Sequence, residues 1–198
     1  MFVDLLRHGE AEGQACFRGH TDDPLSSLGW QQMRAALQEY QTDCVIYSPL
    51  KRCAEFARQW AQQQQHCAHE MAEFMEMNFG DWDGVSAEHI QVTHAHELNA
   101  FWHDPLNNTP PNGEKLLDFQ QRIVAGWENL ICEHSDKNVL LVTHGGVIRM
   151  IIAHVLSIPL SQLLSIECPL ASMSRIRISF DEDEKQYASL VFHAGAVK

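Results

Sequence analysis

The apolar positions of the chain fall into two kinds of run, short continuous ones and longer ones at helical spacing, and the two kinds alternate. Phe2, Val3, Leu5 and Leu6 form the first short run, followed at once by Arg7-His8-Gly9-Glu10. A run so short and so nearly apolar predicts a buried strand of a parallel sheet. A Gly-rich polar stretch, Gly13 to Pro24, then leads to Leu28, Trp30, Met33, Ala36 and Leu37, whose spacing predicts a helix with Ser26 or Ser27 as its N-cap. Cys44-Val45-Ile46-Tyr47 predicts a second strand, Ser48-Pro49-Leu50 a turn, and Ala54, Ala57 and Trp60 a helix running towards Gln64.

From His66 to Asn112 the pattern loosens into Gln-rich, His-rich and acidic-aromatic segments, which predicts a cap-like insertion over about 66–113 with one or two helices, including Ala87 to Trp102. Leu116, Phe119, Ile123, Trp127 and Leu130 then recur at helical spacing. Val139 to Thr143 is continuous and apolar, as a central parallel strand is, and precedes His144-Gly145-Gly146 and a helix from Val147 to Leu156. Met173 to Phe180 and Tyr187 to Phe192 alternate as hairpin strands around Asp181-Glu182-Asp183-Glu184-Lys185, read as a solvated loop rather than a metal site. The expected fold is a single α/β domain over 1–198, a three-layer sandwich with a mostly parallel central sheet flanked by helices.

Composition narrows the partners. Fourteen Lys and Arg against 26 Asp and Glu give a formal charge of -12, which argues against a nucleic-acid partner. A local basic pocket remains compatible with an acidic surface, because global repulsion is screened beyond about 8 Å while opposite charges about 4 Å apart near a surface still attract by about 4 kcal/mol. No basic-then-apolar leader precedes the first strand and no apolar run approaches the ~18 residues of a membrane span, so a cytoplasmic location without a membrane partner is expected. The six scattered cysteines read as reduced thiols, with no disulfide expected.

The candidate chemistry sits at the strand ends. Two of the buried strands run into histidines, His8 and His144, and the turn after another leads to Arg52. In a parallel sheet with right-handed crossovers these ends open on one edge, so Arg7, His8, Arg52 and His144 are expected to converge on a site for a dianion, phosphate foremost.

These residues also carry a resemblance. Arg7-His8-Gly9-Glu10, Ser48-Pro49-Leu50-Lys51-Arg52, Glu76-Met77-Asn78-Phe79-Gly80-Asp81-Trp82-Asp83-Gly84 and Thr143-His144-Gly145-Gly146 occur in the order that marks the histidine phosphatase superfamily, with its phosphoglycerate-mutase-like fold. The resemblance implies that His8 is a nucleophile forming a phosphohistidine, that Arg7, Arg52 and His144 hold the transferred phosphoryl group, and that Glu76 is the proton donor. It also points to Gly145, Gln14 and Arg18 as contacts to substrate or phosphate. Arg18 is equally readable as an ordinary surface arginine. Glu76 to Gly84 is similar to the short phosphatase version of the acid loop rather than the mutase version, so hydrolysis of a small-molecule phosphate monoester is expected. A mutase-type phosphotransferase and a non-catalytic phosphate-binding module are the alternatives. Cys16 to Ser26 resembles the segment found in α-ribazole-5'-phosphate phosphatases of cobalamin nucleotide-loop assembly. The chain departs from the family pattern at Ala11, where relatives commonly have a hydroxyl residue, at Gln14, where mutases have an asparagine, and at Lys115, where serine is frequent.

Two further features have plainer readings. His94-Ala95-His96 and His66-Cys67-Ala68-His69 contain ligand types, but no matching Cys or His pair stands at zinc spacing, so they read as exposed cap histidines. Neither a metal nor any other cofactor is expected. Phe74, Phe79, Trp82 and Trp102 either line a substrate cap able to stack on a heterocycle or pack the cap, with packing favoured because large aromatics chiefly bury area.

Overall fold

The computed structural model describes residues 1–183 and 185–195. Six strands form one sheet in the order β3-β2-β4-β1-β5-β6. They are β1 (Phe2–Arg7), β2 (Cys44–Tyr47), β3 (Cys67–Glu70), β4 (Val139–Thr143), β5 (Met173–Phe180) and β6 (Gln186–Gly195). The first four run parallel, and β5 and β6 add an antiparallel hairpin beside β1. The helices are α1 (Ser27–Ala36), α2 (Lys51–Gln64), α3 (Ala87–Thr93), α4 (Ala95–His103), α5 (Leu116–Glu133) and α6 (Gly145–Val155).

The continuous apolar strands follow from burial on both faces. Successive side chains alternate, so Val3, Leu5, Ile46 and Leu141 face a core shared with α5 and α6, while Leu6, Val45, Leu140 and Val142 face the core covered by α1 and α2. Asp4 interrupts this pattern in β1 at 1% exposure. Its carboxylate is satisfied by Arg175 of β5, which donates from Nε at 2.7 Å and Nη2 at 2.8 Å, and by the Tyr40 hydroxyl at 2.6 Å. Ser26 caps α1 as expected, its hydroxyl accepting from the Gly29 amide at 3.0 Å.

Two details differ from the sequence reading. The helical stretch from Ala87 to Trp102 is split at His94, which closes α3 and opens α4. The segment read as an insertion also begins with a strand of the main sheet, β3, hydrogen-bonded to β2 at the edge. Four residues, Cys67-Ala68-His69-Glu70, mostly exposed, carry no apolar run to announce a strand. The acidic turn after β5 includes Glu184, which lies outside the described residues. Among the described residues no helix is long and apolar enough to cross a membrane.

Candidate active site

Parallel pairing of β1 with β4 sets Arg7 opposite Thr143, and one step further the His8 amide donates to the Thr143 carbonyl at 2.9 Å. The two strands thus end side by side and release their histidines at one point. The rings of His8 and His144 stand 5.3 Å apart, centroid to centroid, at 63°. Gly9 is needed for the chain to leave β1 here, because a Cβ on it would lie 2.5 Å from the Gly29 carbonyl oxygen of α1.

Arg52 enters from the first turn of α2, and both Arg52 and His144 are fully buried. The Arg52 guanidinium donates from Nη1 to the Thr21 carbonyl at 2.7 Å and from Nη2 to the carbonyls of Arg18 at 3.0 Å and Gly19 at 2.8 Å. Arg7 donates from Nη1 to the Cys168 carbonyl. In both arginines the Nε is buried and has no hydrogen-bond partner among the described residues. Buried donors left unpaired are uncommon, and Trp82 Nε1 and His134 Nδ1 share that state among the described residues.

Glu76 lies between two 3-10 turns, Ala72–Phe74 and Gly80–Trp82. Its Oε1 accepts from the Met77 amide and its Oε2 from the Gly146 amide, each at 3.0 Å. Gly146 admits this contact because a Cβ there would lie 2.2 Å from Glu76 Oε1. The loop itself is held by Arg122 of α5, which donates to the carbonyls of Glu73 at 2.7 Å, Met75 at 2.8 Å and Glu76 at 3.0 Å and pairs with Glu114 at 2.7 Å.

The protonation of His8 follows from its neighbours. Nδ1 lies 2.7 Å from the Gly9 carbonyl oxygen, an atom that only accepts, so Nδ1 carries the proton and the neutral ring keeps a free lone pair on Nε2. Burial, then the charge of Arg52, push the His8 imidazole down to about 3, with Arg7 and Arg18 adding to the effect. Burial and Arg52 likewise hold His144 well below the ordinary histidine range. The Ser48 hydroxyl lies 2.6 Å from His144 Nε2. A neutral imidazole with a free lone pair can act as a nucleophile, and guanidinium groups beside it can hold an oxyanion.

A cleft of about 590 Å³ opens over these groups. Of the positions picked out from sequence, Arg7, His8, Gln14, Arg18, Glu76 and Gly145 line it, whereas Arg52 and His144 lie in the protein interior. Arg18 is committed to its own loop, pairing through Nε with Asp23 at 2.9 Å and donating from Nη2 to the Glu12 and Gln14 carbonyls, each at 2.9 Å. The aromatics divide. Phe74 and Trp82 are buried, while Phe79 lines the cleft with Trp102, which is 48% exposed. Sequence reading missed Arg149, which lines the cleft from α6 and donates from Nε to the Ile166 carbonyl at 2.7 Å. Its signal was an arginine in a mostly apolar helix, four residues beyond Gly145 and hence on the same face. Ser48 stood in the turn and in the motif leading to Arg52, with no role of its own assigned to it.

A model of the histidine phosphatase superfamily (branch 1) matches residues 3–191. The chain belongs to the histidine phosphatase superfamily. It is 32% identical over 166 residues to the adenosylcobalamin/alpha-ribazole phosphatase of Salmonella typhimurium, a match covering 80% of this chain and 81% of that one. The protein of the same description from Escherichia coli K12 is 30% identical over 164 residues, covering 78% and 79%. Among solved structures, the alpha-ribazole phosphatase of Shigella flexneri superposes with a TM-score of 0.84 at 26% identity, over 100% of both chains. Bacillus stearothermophilus YhfR gives 0.87 at 25% identity, over 99% of this chain and 98% of that one. This histidine phosphatase is therefore an enzyme, a phosphatase whose sheet and helices match those of its structural neighbours.

Proposed function

We propose that this histidine phosphatase hydrolyses a small phosphate monoester through a phosphohistidine on His8. The observation that carries the reading is the convergence of His8, whose Nδ1 faces the Gly9 carbonyl and leaves Nε2 free, with the His144 ring 5.3 Å away and with Arg7 and Glu76 lining the same cleft. His8 Nε2 attacks phosphorus as the bond to the ester oxygen breaks, and Glu76 gives its proton to that oxygen, so the alcohol leaves neutral. Arg7, Arg52 and His144 spread the charge of the phosphoryl oxygens, and the amide of Gly145 at the start of α6 adds a helix N-terminal donor. Glu76, now a carboxylate, takes a proton from water as that water attacks phosphorus. Inorganic phosphate leaves and His8 is restored.

The substrate we favour carries a flat heterocycle in its leaving group. Trp102 and Phe79 in the cleft offer faces for stacking. Relatives at 30–32% identity are described as adenosylcobalamin/alpha-ribazole phosphatases, and α-ribazole 5'-phosphate, an intermediate of cobalamin nucleotide-loop assembly, has a leaving group of this shape. Gln14 also lines the cleft and offers a side-chain amide to the sugar, whereas Arg18 is held by Asp23 and its own loop.

The test is a panel of phosphomonoesters, α-ribazole 5'-phosphate included, assayed for free phosphate in the presence of EDTA with the parent enzyme and with Glu76→Gln. Free phosphate is expected throughout, with the largest kcat/KM on the heterocyclic ester. Glu76→Gln should slow alkyl phosphates far more than nitrophenyl phosphate, whose leaving group needs no proton. Equal losses on both would remove Glu76 from the acid role, and transfer of phosphate to a second alcohol instead of water would make the enzyme a phosphotransferase.

A further inference from the structure

At the opposite edge of the sheet from the cleft, the fold assembles a group of side chains that has no part in the chemistry above. Cys44 opens β2 and Cys67 opens β3, and the two are partners in the parallel register, so their side chains emerge on the same face. Their Sγ atoms lie 3.3 Å apart. His69, two residues after Cys67, shares that face, and its ring nitrogen and the two sulfurs all lie within 4.8 Å of one another. Cys44 is buried, while Cys67 and His69 are exposed. Beyond them, the His134 ring at the end of α5 stands 6.3 Å from that of His69, and its Nδ1 is buried with no hydrogen-bond partner among the described residues.

We propose that Cys44, Cys67 and His69 form a binding site for a thiophilic d10 cation, Zn2+ in the first instance, with the fourth position open to water or to His134 after a ring rotation. Tetrahedral Zn2+ takes sulfur at about 2.3 Å and imidazole nitrogen at about 2.0 Å, which sets two thiolates roughly 3.8 Å apart. Small rotations of exposed side chains bring the present spacing to that geometry. The donor set, two sulfurs and an imidazole, is the one soft and borderline cations prefer over Mg2+ or Ca2+. Binding displaces two thiol protons as two metal–sulfur bonds form, leaving a neutral dithiolate complex. The site would tie the edge strand β3 to β2, and β3 is the strand that leads into the loop bearing Glu76. The chain pattern hid this group because Cys44 is contributed by the neighbouring strand, at no recognisable zinc spacing from Cys67 and His69.

The test uses the reduced, metal-stripped enzyme. Titration with Zn2+ against a chromophoric chelator, and with Co2+ followed by absorbance, is compared for the parent, Cys67→Ser, His69→Ala and His8→Ala, with circular dichroism to confirm folding. One Zn2+ per chain, a thiolate-to-Co2+ charge-transfer band and a rise in Tm on loading are expected in the parent and in His8→Ala. Cys67→Ser should weaken binding by at least about 100-fold, the upper range for loss of even an outer-shell partner, and His69→Ala should shift the Co2+ spectrum. Absence of the charge-transfer band in the parent, or Zn2+ affinity unchanged in both Cys67→Ser and His69→Ala, would overturn the proposal. Formation of a Cys44–Cys67 disulfide in air by a protein that binds no Zn2+ when reduced would overturn it as well.

Discussion

His8 is kept neutral by burial and by the charge of Arg52, and that neutrality bears on both reactivity and stability. Burial and the guanidinium of Arg52 disfavour the imidazolium in the folded chain, down to about 3, whereas the unfolded chain binds a proton near 6.5. As pH falls below 6.5 the unfolded state takes up a proton that the folded state refuses, so this contribution to stability is present above 6.5 and is lost progressively towards about 3. The His8 ring itself stays deprotonated at Nε2 over that range. Imidazole 15N NMR should therefore report the Nδ1–H tautomer of His8 unchanged from pH 8 to pH 5, while denaturant midpoints fall over the same interval. A His8 ring that titrates near 6.5 contradicts this.

Gly146 gives a second test at this scale. With a Cβ 2.2 Å from Glu76 Oε1, Gly146→Ala must displace the carboxyl group. Turnover of alkyl phosphates should drop by about 10²–10⁴-fold, the usual contribution of a positioned acid, with the thermal transition near that of the parent. Undiminished turnover would mean that the Glu76 carboxyl works from some other position. The pairing of these two residues was not legible in the sequence, where they stand far apart and each belongs to its own motif.

At the scale of elements, legibility followed burial. Strands β1, β2 and β4 have both faces covered and read as apolar runs, and α5 announced itself through residues that pack on the sheet. β3 did not, because an exposed edge strand has no apolar face to display. Arg122 was equally invisible, since the carbonyls of Glu73, Met75 and Glu76 that it holds leave no trace in residue type. Asp4 is the reverse case, a polar residue within an otherwise apolar strand, whose meaning appears only when β5 brings Arg175 beside it. Removing that partner leaves a buried carboxylate unpaired. Arg175→Met should cost about 3 kcal/mol in denaturant unfolding, at the lower end for a broken buried pair because Arg175 is partly exposed. No change in stability would show that Asp4 finds compensation elsewhere.

For the molecule as a whole, a formal charge of -12 coexists with a cleft whose wall carries Arg7, Arg18 and Arg149 beside Glu10, Glu76 and Glu88, a local balance within an acidic chain. The motifs made the convergence of β1, β4 and α2 foreseeable because parallel strands share one working edge, but the composition of the cleft wall depended on how α4 and the acid loop fold back over it. Trp102 on α4 is the clearest instance. Trp102→Ala should raise KM for heterocyclic phosphate esters by roughly 10-fold while leaving glycerol phosphate nearly unaffected, since loss of one stacking partner is worth about 0.5–1.5 kcal/mol beyond area burial. Equal effects on both substrates would assign Trp102 to packing alone.

The central claim is a covalent one, that phosphate passes through the free nitrogen of His8. Rapid mixing of enzyme with a phosphate monoester, quenching in base, and mapping of the labelled peptide by mass spectrometry tests it directly. An acid-labile, base-stable phosphoramidate is expected on His8, formed faster than steady-state turnover and absent from His8→Ala, which should be folded and inactive. Normal hydrolysis by His8→Ala, or label on any other residue, would contradict it.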